Sequence, residues 1–181
     1  MLRLSTVILS LALVGCAAIG PRFSEDARAR APIPPGHARL VVFRTADSSL
    51  YSGRAASLTL DGRDIGSVRY GSYLIVDVLP GQYEFRVEMW DAPGHCDLAF
   101  DALLGKTSYF EISPRAESFR AGLFGLLLFP VTPAGALAGS GVSLGGMAAE
   151  SSGKKCGGAF SIVPVEPAEA DRKLSDLRSE R

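Results

Sequence analysis

The chain has 181 residues, 47% of them hydrophobic, with 19 basic and 19 acidic side chains. That length fits one domain with appendages. The balanced charge excludes a broad basic field of the kind that captures nucleic acid, so no nucleic-acid partner is expected.

Arg3 precedes an uncharged, mostly apolar stretch, Leu4 to Val14, too short to span about 30 Å of hydrocarbon as a stable helix. It ends in Leu13-Val14-Gly15-Cys16, which resembles the bacterial lipobox. The resemblance implies that residues 1–15 are a cleaved signal peptide and that the Cys16 thiol carries diacylglycerol, with the new amine acylated. The chemistry explains the residue types: small Gly15 lets a peptidase reach the backbone, and only a thiol forms the thioether. Two or three acyl chains, at about 0.8 kcal/mol per buried methylene, hold a protein stably where one is marginal. Ala17, not Asp, follows Cys16, as in lipoproteins sorted to the outer membrane of diderm bacteria. The expected address is the inner leaflet of that membrane, facing the periplasm.

Residues 16–36 carry Pro21, Pro32, Pro34 and Pro35, which remove backbone donors and block helix continuation. This stretch is expected to be a tether, with Arg28, Arg30 and Arg39 solvated. Strand signals fill the expected domain, residues 37–165. Leu40 to Phe43 form an apolar β-branched run; Leu58 and Leu60 alternate with polar neighbours before the hairpin signal Asp61-Gly62, and Ile65 and Val68 return. Tyr73 to Val78 is stopped by Pro80-Gly81. Tyr83, Phe85, Val87 and Met89 then alternate with polar residues, the clearest period of two in the chain. Leu98, Phe100 and Leu103 predict a further strand, Gly105-Lys106 a turn into Thr107 to Ile112, and Ala159 to Val165 a last strand. The pattern predicts a mainly β fold, an antiparallel β-sandwich of the immunoglobulin or transthyretin type.

A helix is expected over residues 166–181, with Pro167 in its first turn and Ala170, Leu174 and Leu177 on one face. We read it as a cap on the sandwich in preference to a free partner-binding helix. Residues 121–149 contain no charged side chain, break at Pro130 and Pro133, and place Gly135/Gly139 and Gly141/Gly145 at Gly-x-x-x-Gly spacing. Glycine-zipper lipoproteins look similar here. Three readings stand: a buried strand with a glycine-rich loop, a membrane-dipping hairpin, and an oligomer interface.

The strand ending Val42-Phe43-Arg44, the hairpin Leu60-Asp61-Gly62, the Pro80-Gly81 turn with Tyr83 and Phe85, the run Gly105-Lys106-Thr107-Ser108-Tyr109-Phe110 and the segment Val163 to Arg178 resemble an uncharacterised family of bacterial lipoproteins. The resemblance covers roughly residues 38–113 and 159–178. It implies a β-sandwich on the periplasmic side of a membrane, with no established activity and no site residues to carry over.

Cys16 stands at the processing site, which leaves Cys96 and Cys156 in the exported domain, where an oxidising compartment favours a disulfide. His37 and His95 have no partner at metal-ligand spacing, and no nucleophile elbow or phosphate loop is present, so no catalytic residues, metal or cofactor are expected. Asp91, His95 and Asp97 form the only dense polar cluster and mark the rival reading, a hydrolase acting on envelope material. A third reading is a membrane-inserting or oligomerising protein acting through residues 121–149. Tyr83, Phe85, Tyr109 and Phe110 are expected in the core, and Trp90 exposed in a loop. The leading expectation is a lipid-anchored binding or structural module whose partners are the membrane, through Cys16, and an envelope protein or the cell wall.

Overall fold

The computed structural model describes residue 18 and residues 20–116 and 156–180. The expected signal segment 1–15, Cys16 and the uncharged stretch 121–149 lie outside the described residues. The elements run as helix α1 (Ala27–Arg30), strands β1 (Ala38–Arg44), β2 (Ala56–Leu60), β3 (Arg63–Val68), β4 (Ser72–Val78), β5 (Gly81–Glu88), β6 (His95–Ala102), β7 (Thr107–Pro114) and β8 (Phe160–Val165), helix α2 (Pro167–Leu174) and strand β9 (Arg178–Ser179).

The strands form two facing sheets, a five-stranded one in the order β8-β7-β1-β4-β9 and a four-stranded one in the order β3-β2-β5-β6. This is the expected mainly β sandwich. Local sequence sets several of its joints. Asp61 and Gly62 both take positive φ, 47° and 75°, the backbone that a two-residue hairpin requires and that Asp-Gly accepts readily. Along β5 the period of two becomes an inward row, with Phe85 and Val87 buried and Glu84 and Arg86 on the opposite face.

Pairing in the four-stranded sheet is antiparallel throughout, whereas the five-stranded sheet is mixed. β1 pairs antiparallel with β4 but parallel with β7, and β4 pairs parallel with β9. A parallel pair needs a long crossover, and here the chain between β1 and β7 supplies it by building the whole second sheet.

Two apolar clusters result. Between the sheets lie Leu40, Val42, Leu58, Leu74, Phe85, Val87, Phe110 and Phe160. Behind the five-stranded sheet, Val41, Phe43, Tyr73 and Ile75 pack against Ala170, Leu174, Leu177 and Phe23. α2 is therefore a cap, as its apolar spacing predicts, with Pro167 in its first turn.

The ends of the chain depart from expectation. Residues 20–31 are not a free tether: the Phe23 N–H donates to the Leu177 carbonyl at 3.0 Å, and Asp26 both accepts from the Arg28 N–H and receives the Tyr73 hydroxyl at 2.7 Å. Apolar surface on Phe23 and Ala29, together with this buried carboxylate pairing, docks the segment. Arg39 is likewise buried in β1; its guanidinium grips Asp77 at 2.7 and 3.1 Å and donates to the carbonyls of Arg28 and Ala31. At the other end, the helix expected over 166–181 stops at Leu174. The chain turns so that Leu177 is buried, and Arg178–Ser179 add to the edge of β4. Glu180 then accepts from the Ser72 hydroxyl at 2.6 Å and pairs with Arg69 at 2.9 Å.

Among the described residues, Arg44 is the largest fully buried side chain, 1% exposed. Its guanidinium lies 4.7 Å from the Phe160 ring centroid and donates to the carbonyls of Leu50, Tyr51 and Arg54 at 2.7 to 2.9 Å. Burial lowers its pKa to about 10, so it stays charged at neutral pH. These bonds organise the long β1–β2 loop, which has no strand ladder to order it. Arg44→Met keeps the apolar stem but removes the donors, and urea unfolding is expected to show a loss of about 2 to 3 kcal/mol. An unchanged midpoint would remove Arg44 from this role.

Candidate functional site

The sulfurs of Cys96 and Cys156 lie at disulfide distance, with Cα atoms 3.9 Å apart and 60 residues between them in sequence. Cys96 faces the inter-sheet core from β6, and Cys156 pairs with it across an antiparallel bridge. The carbonyl of His95 accepts from the N–H groups of Gly157 and Gly158 at 2.9 and 3.1 Å. Gly158 is required by close approach: a Cβ there would stand 2.8 Å from the Gly94 carbonyl oxygen.

In the polar cluster of the hydrolase reading, both carboxylates are engaged by arginines. Asp91 is held by Arg54 at 2.7 Å, while Asp97 is gripped by Arg86 through two bonds of 2.7 and 3.2 Å. The Asp97 carboxylate also meets His95, whose Nε2 lies 3.2 Å from Oδ2. Arg86 is raised above its ordinary pKa, chiefly by its hydrogen bond to Asp97. Trp90 is 75% exposed, as its loop composition predicts, with the Arg54 guanidinium 5.8 Å from its ring centroid.

The aromatic residues divide by depth. Phe85, Phe100 and Phe110 meet edge to face or tilted in the core, with centroids 4.9 to 6.4 Å apart. Tyr83 stacks on Phe100 at 5.9 Å and Tyr109 is half-buried, so both reach the surface beside β6. One groove lies over the β5–β6 pair along Gln82, Tyr83, Glu84, Ala99, Phe100 and Asp101. A second opens between β6 and the other sheet, floored by Leu98, Phe100, Tyr109 and Phe110 and closed by Pro164 and Pro167. A third lies at the tip, where the β4–β5 and β6–β7 turns expose Leu79, Leu103 and Leu104, each 60 to 63%. β6 itself stops at Ala102, so Leu103 belongs to this exposed tip and not to the strand predicted through it.

The margin formed by β6 and these turns is the candidate site. Among the described residues, no group of three His, Cys, Asp or Glu side chains could hold a metal ion. Sequence reasoning placed Leu98, Phe100, Tyr83 and Tyr109 on strands, but it missed Asp101 and the groove because strand order is not local information. No family model matches the chain, and no curated protein matches it in sequence.

Opening the 60-residue loop should weaken the domain markedly. In the chain-entropy model, Cys96→Ala with Cys156→Ala costs about 4 kcal/mol. Nonreducing peptide mapping should recover the two cysteine peptides as one linked species. Two alkylatable thiols in freshly isolated native protein would contradict the bridge.

Proposed function

We propose that this protein is a lipid-anchored binding module of the bacterial cell envelope, attached through Cys16 to the inner leaflet of the outer membrane and facing the periplasm. The observation that carries the binding role is the exposed apolar tip of Leu79, Leu103 and Leu104, continuous with the grooves beside β6. Apolar side chains gathered at one end are a contact surface for a partner, since scattered ones are ordinary on any protein. The polar cluster at Asp91, His95 and Asp97 supports the same reading, because its carboxylates are engaged by Arg54 and Arg86.

The anchor reading is supported by the sequence Leu13-Val14-Gly15-Cys16. Gly20, four residues beyond that cysteine, bonds to Ser179 beside Tyr73, at the start of β4. The apolar tip follows the far end of the same strand, about 20 Å away at the rise of an extended chain. The partner is a protein or cell-wall component of the envelope. The resemblance to uncharacterised bacterial lipoproteins agrees with this address.

Cys16→Ser should abolish lipid labelling, because the thioether requires sulfur, and mass spectrometry of the mature N-terminus reads the result directly. A mature protein that begins elsewhere, or with unmodified Cys16, would overturn the anchor. The double substitution Leu103→Ser, Leu104→Ser should leave stability within about 0.5 kcal/mol, as for exposed positions generally. The same variant should lose its specific crosslinks in intact cells. Crosslinks at the wild-type level would remove the tip from the binding role.

A further inference from the structure

We infer that β6 is a strand-addition site, which takes an extended polypeptide segment of a partner with alternating apolar and basic side chains. The inference rests on the binding-module reading and specifies the partner's chemistry. It begins with the edges of the two sheets. β8 carries Pro164, which lacks a donor, and β9 is two residues long and covered by the bridge from Arg22. β3 is bulged against β2 and exposes Arg63 and Asp64. β6 is eight residues long and regular in register against β5 over its full length.

The direction of its backbone groups follows from two contacts. Asp61 binds the Glu84 carbonyl through its N–H and the Glu84 N–H through its carboxylate, so Glu84 turns both groups toward β2 and away from β6. Ala99, paired with Glu84, therefore turns its own N–H and carbonyl outward. The His95 carbonyl, four residues earlier and of the same parity, does so too, since it accepts from Gly157 and Gly158. The chain at Cys156–Gly158 covers only the start of the strand. Among the described residues, the outward groups of Ala99 and Asp101 have no hydrogen-bond partner, and both residues are exposed.

A strand added there places alternate side chains on two faces. One set enters the groove floored by Leu98, Phe100 and Tyr109 and must be apolar; the other lies beside Asp101 on the solvent face and is favoured when basic. A second copy of this chain fits poorly. Antiparallel pairing of two β6 strands about Ala99 sets Asp97 opposite Asp101, carboxylate against carboxylate.

The test uses the full mature chain carrying Cys16→Ser, so that its outcome is independent of the lipid anchor, and an acetylated, amidated octapeptide alternating Val and Lys. Fluorescence anisotropy should show binding, and hydrogen exchange should show the amides of Ala99 and Asp101 fast in the free protein and slowed by the peptide. Asp101→Lys should weaken binding about tenfold through loss and reversal of one cross-strand charge pair. Ala99→Pro removes an outward donor without touching the β5 ladder, a place where an edge strand tolerates proline, and should abolish binding while the protein stays folded. The inference is overturned if the peptide does not bind, or if Ala99→Pro and Asp101→Lys both bind it like the parent. It is equally overturned if the Ala99 and Asp101 amides are already protected in the free protein, by this chain's own residues or by a second copy. None of these results bears on whether Cys16 is lipidated.

Discussion

Strand β1 is buried at all seven positions, and the need to cover both of its faces organises the molecule. A sandwich of two sheets covers only one. Leu40 and Val42 look inward to the second sheet, while Val41 and Phe43 look outward and would be wet without a further layer. The N-terminal segment and α2 provide that layer, which makes the domain three layers deep at its centre. The arginines at the two ends of the strand follow the same logic. Arg39 binds the covering segment through the Arg28 and Ala31 carbonyls, and Arg44 ties down the loop that closes the sandwich. Each buried guanidinium is tolerable because its donors are occupied.

The same demand leaves the margins of the sheets unequal. The outer layer protects β9 and the β4 side, where Arg22, Leu177 and Glu180 converge, while among the described residues the four-stranded sheet has no layer behind it. Its solvent face is accordingly polar, with Ser57, Thr59, Glu84, Arg86, Asp97 and Asp101, and its β6 edge stands beside the grooves. At one end of that edge the Cys96–Cys156 pair and Gly158 bring in the chain that leads to β8. At the other end the turns at Leu79 and at Leu103-Leu104 remain apolar and exposed. Among the described residues, the exposed apolar turns thus lie where neither the outer layer nor the cysteine pair reaches.

Local pattern was enough to identify most of the strands, because the side-chain period of two and the turn residues act over a few positions. Tyr83 to Met89, Asp61-Gly62 and Pro80-Gly81 carry those signals, and the structure places strand and turn accordingly. The apolar face of α2 was equally legible, but its end was not. Ser175 and Asp176 are compatible with a continuing helix; the turn there is decided by the burial of Leu177 and by the Glu180 contacts with Ser72 and Arg69. Arg39 misled for a related reason: a charged residue after a proline-rich run reads as solvated until Asp77, 38 residues later, is known to stand opposite it.

Sequence by itself determined the mainly β class, the strand and turn positions, the capping face of α2 and the partnership of the two cysteines that remain after Cys16. All of these follow from short-range periodicity, backbone preference or counting. Tertiary structure alone decided that β1 pairs in parallel with β7, that residues 20–31 dock on the sheet, and that β6 stands at an edge with Ala99 and Asp101 facing outward. Those features depend on which strands become neighbours, a choice made by the joint burial of residues far apart in the chain, and no window of local sequence contains it.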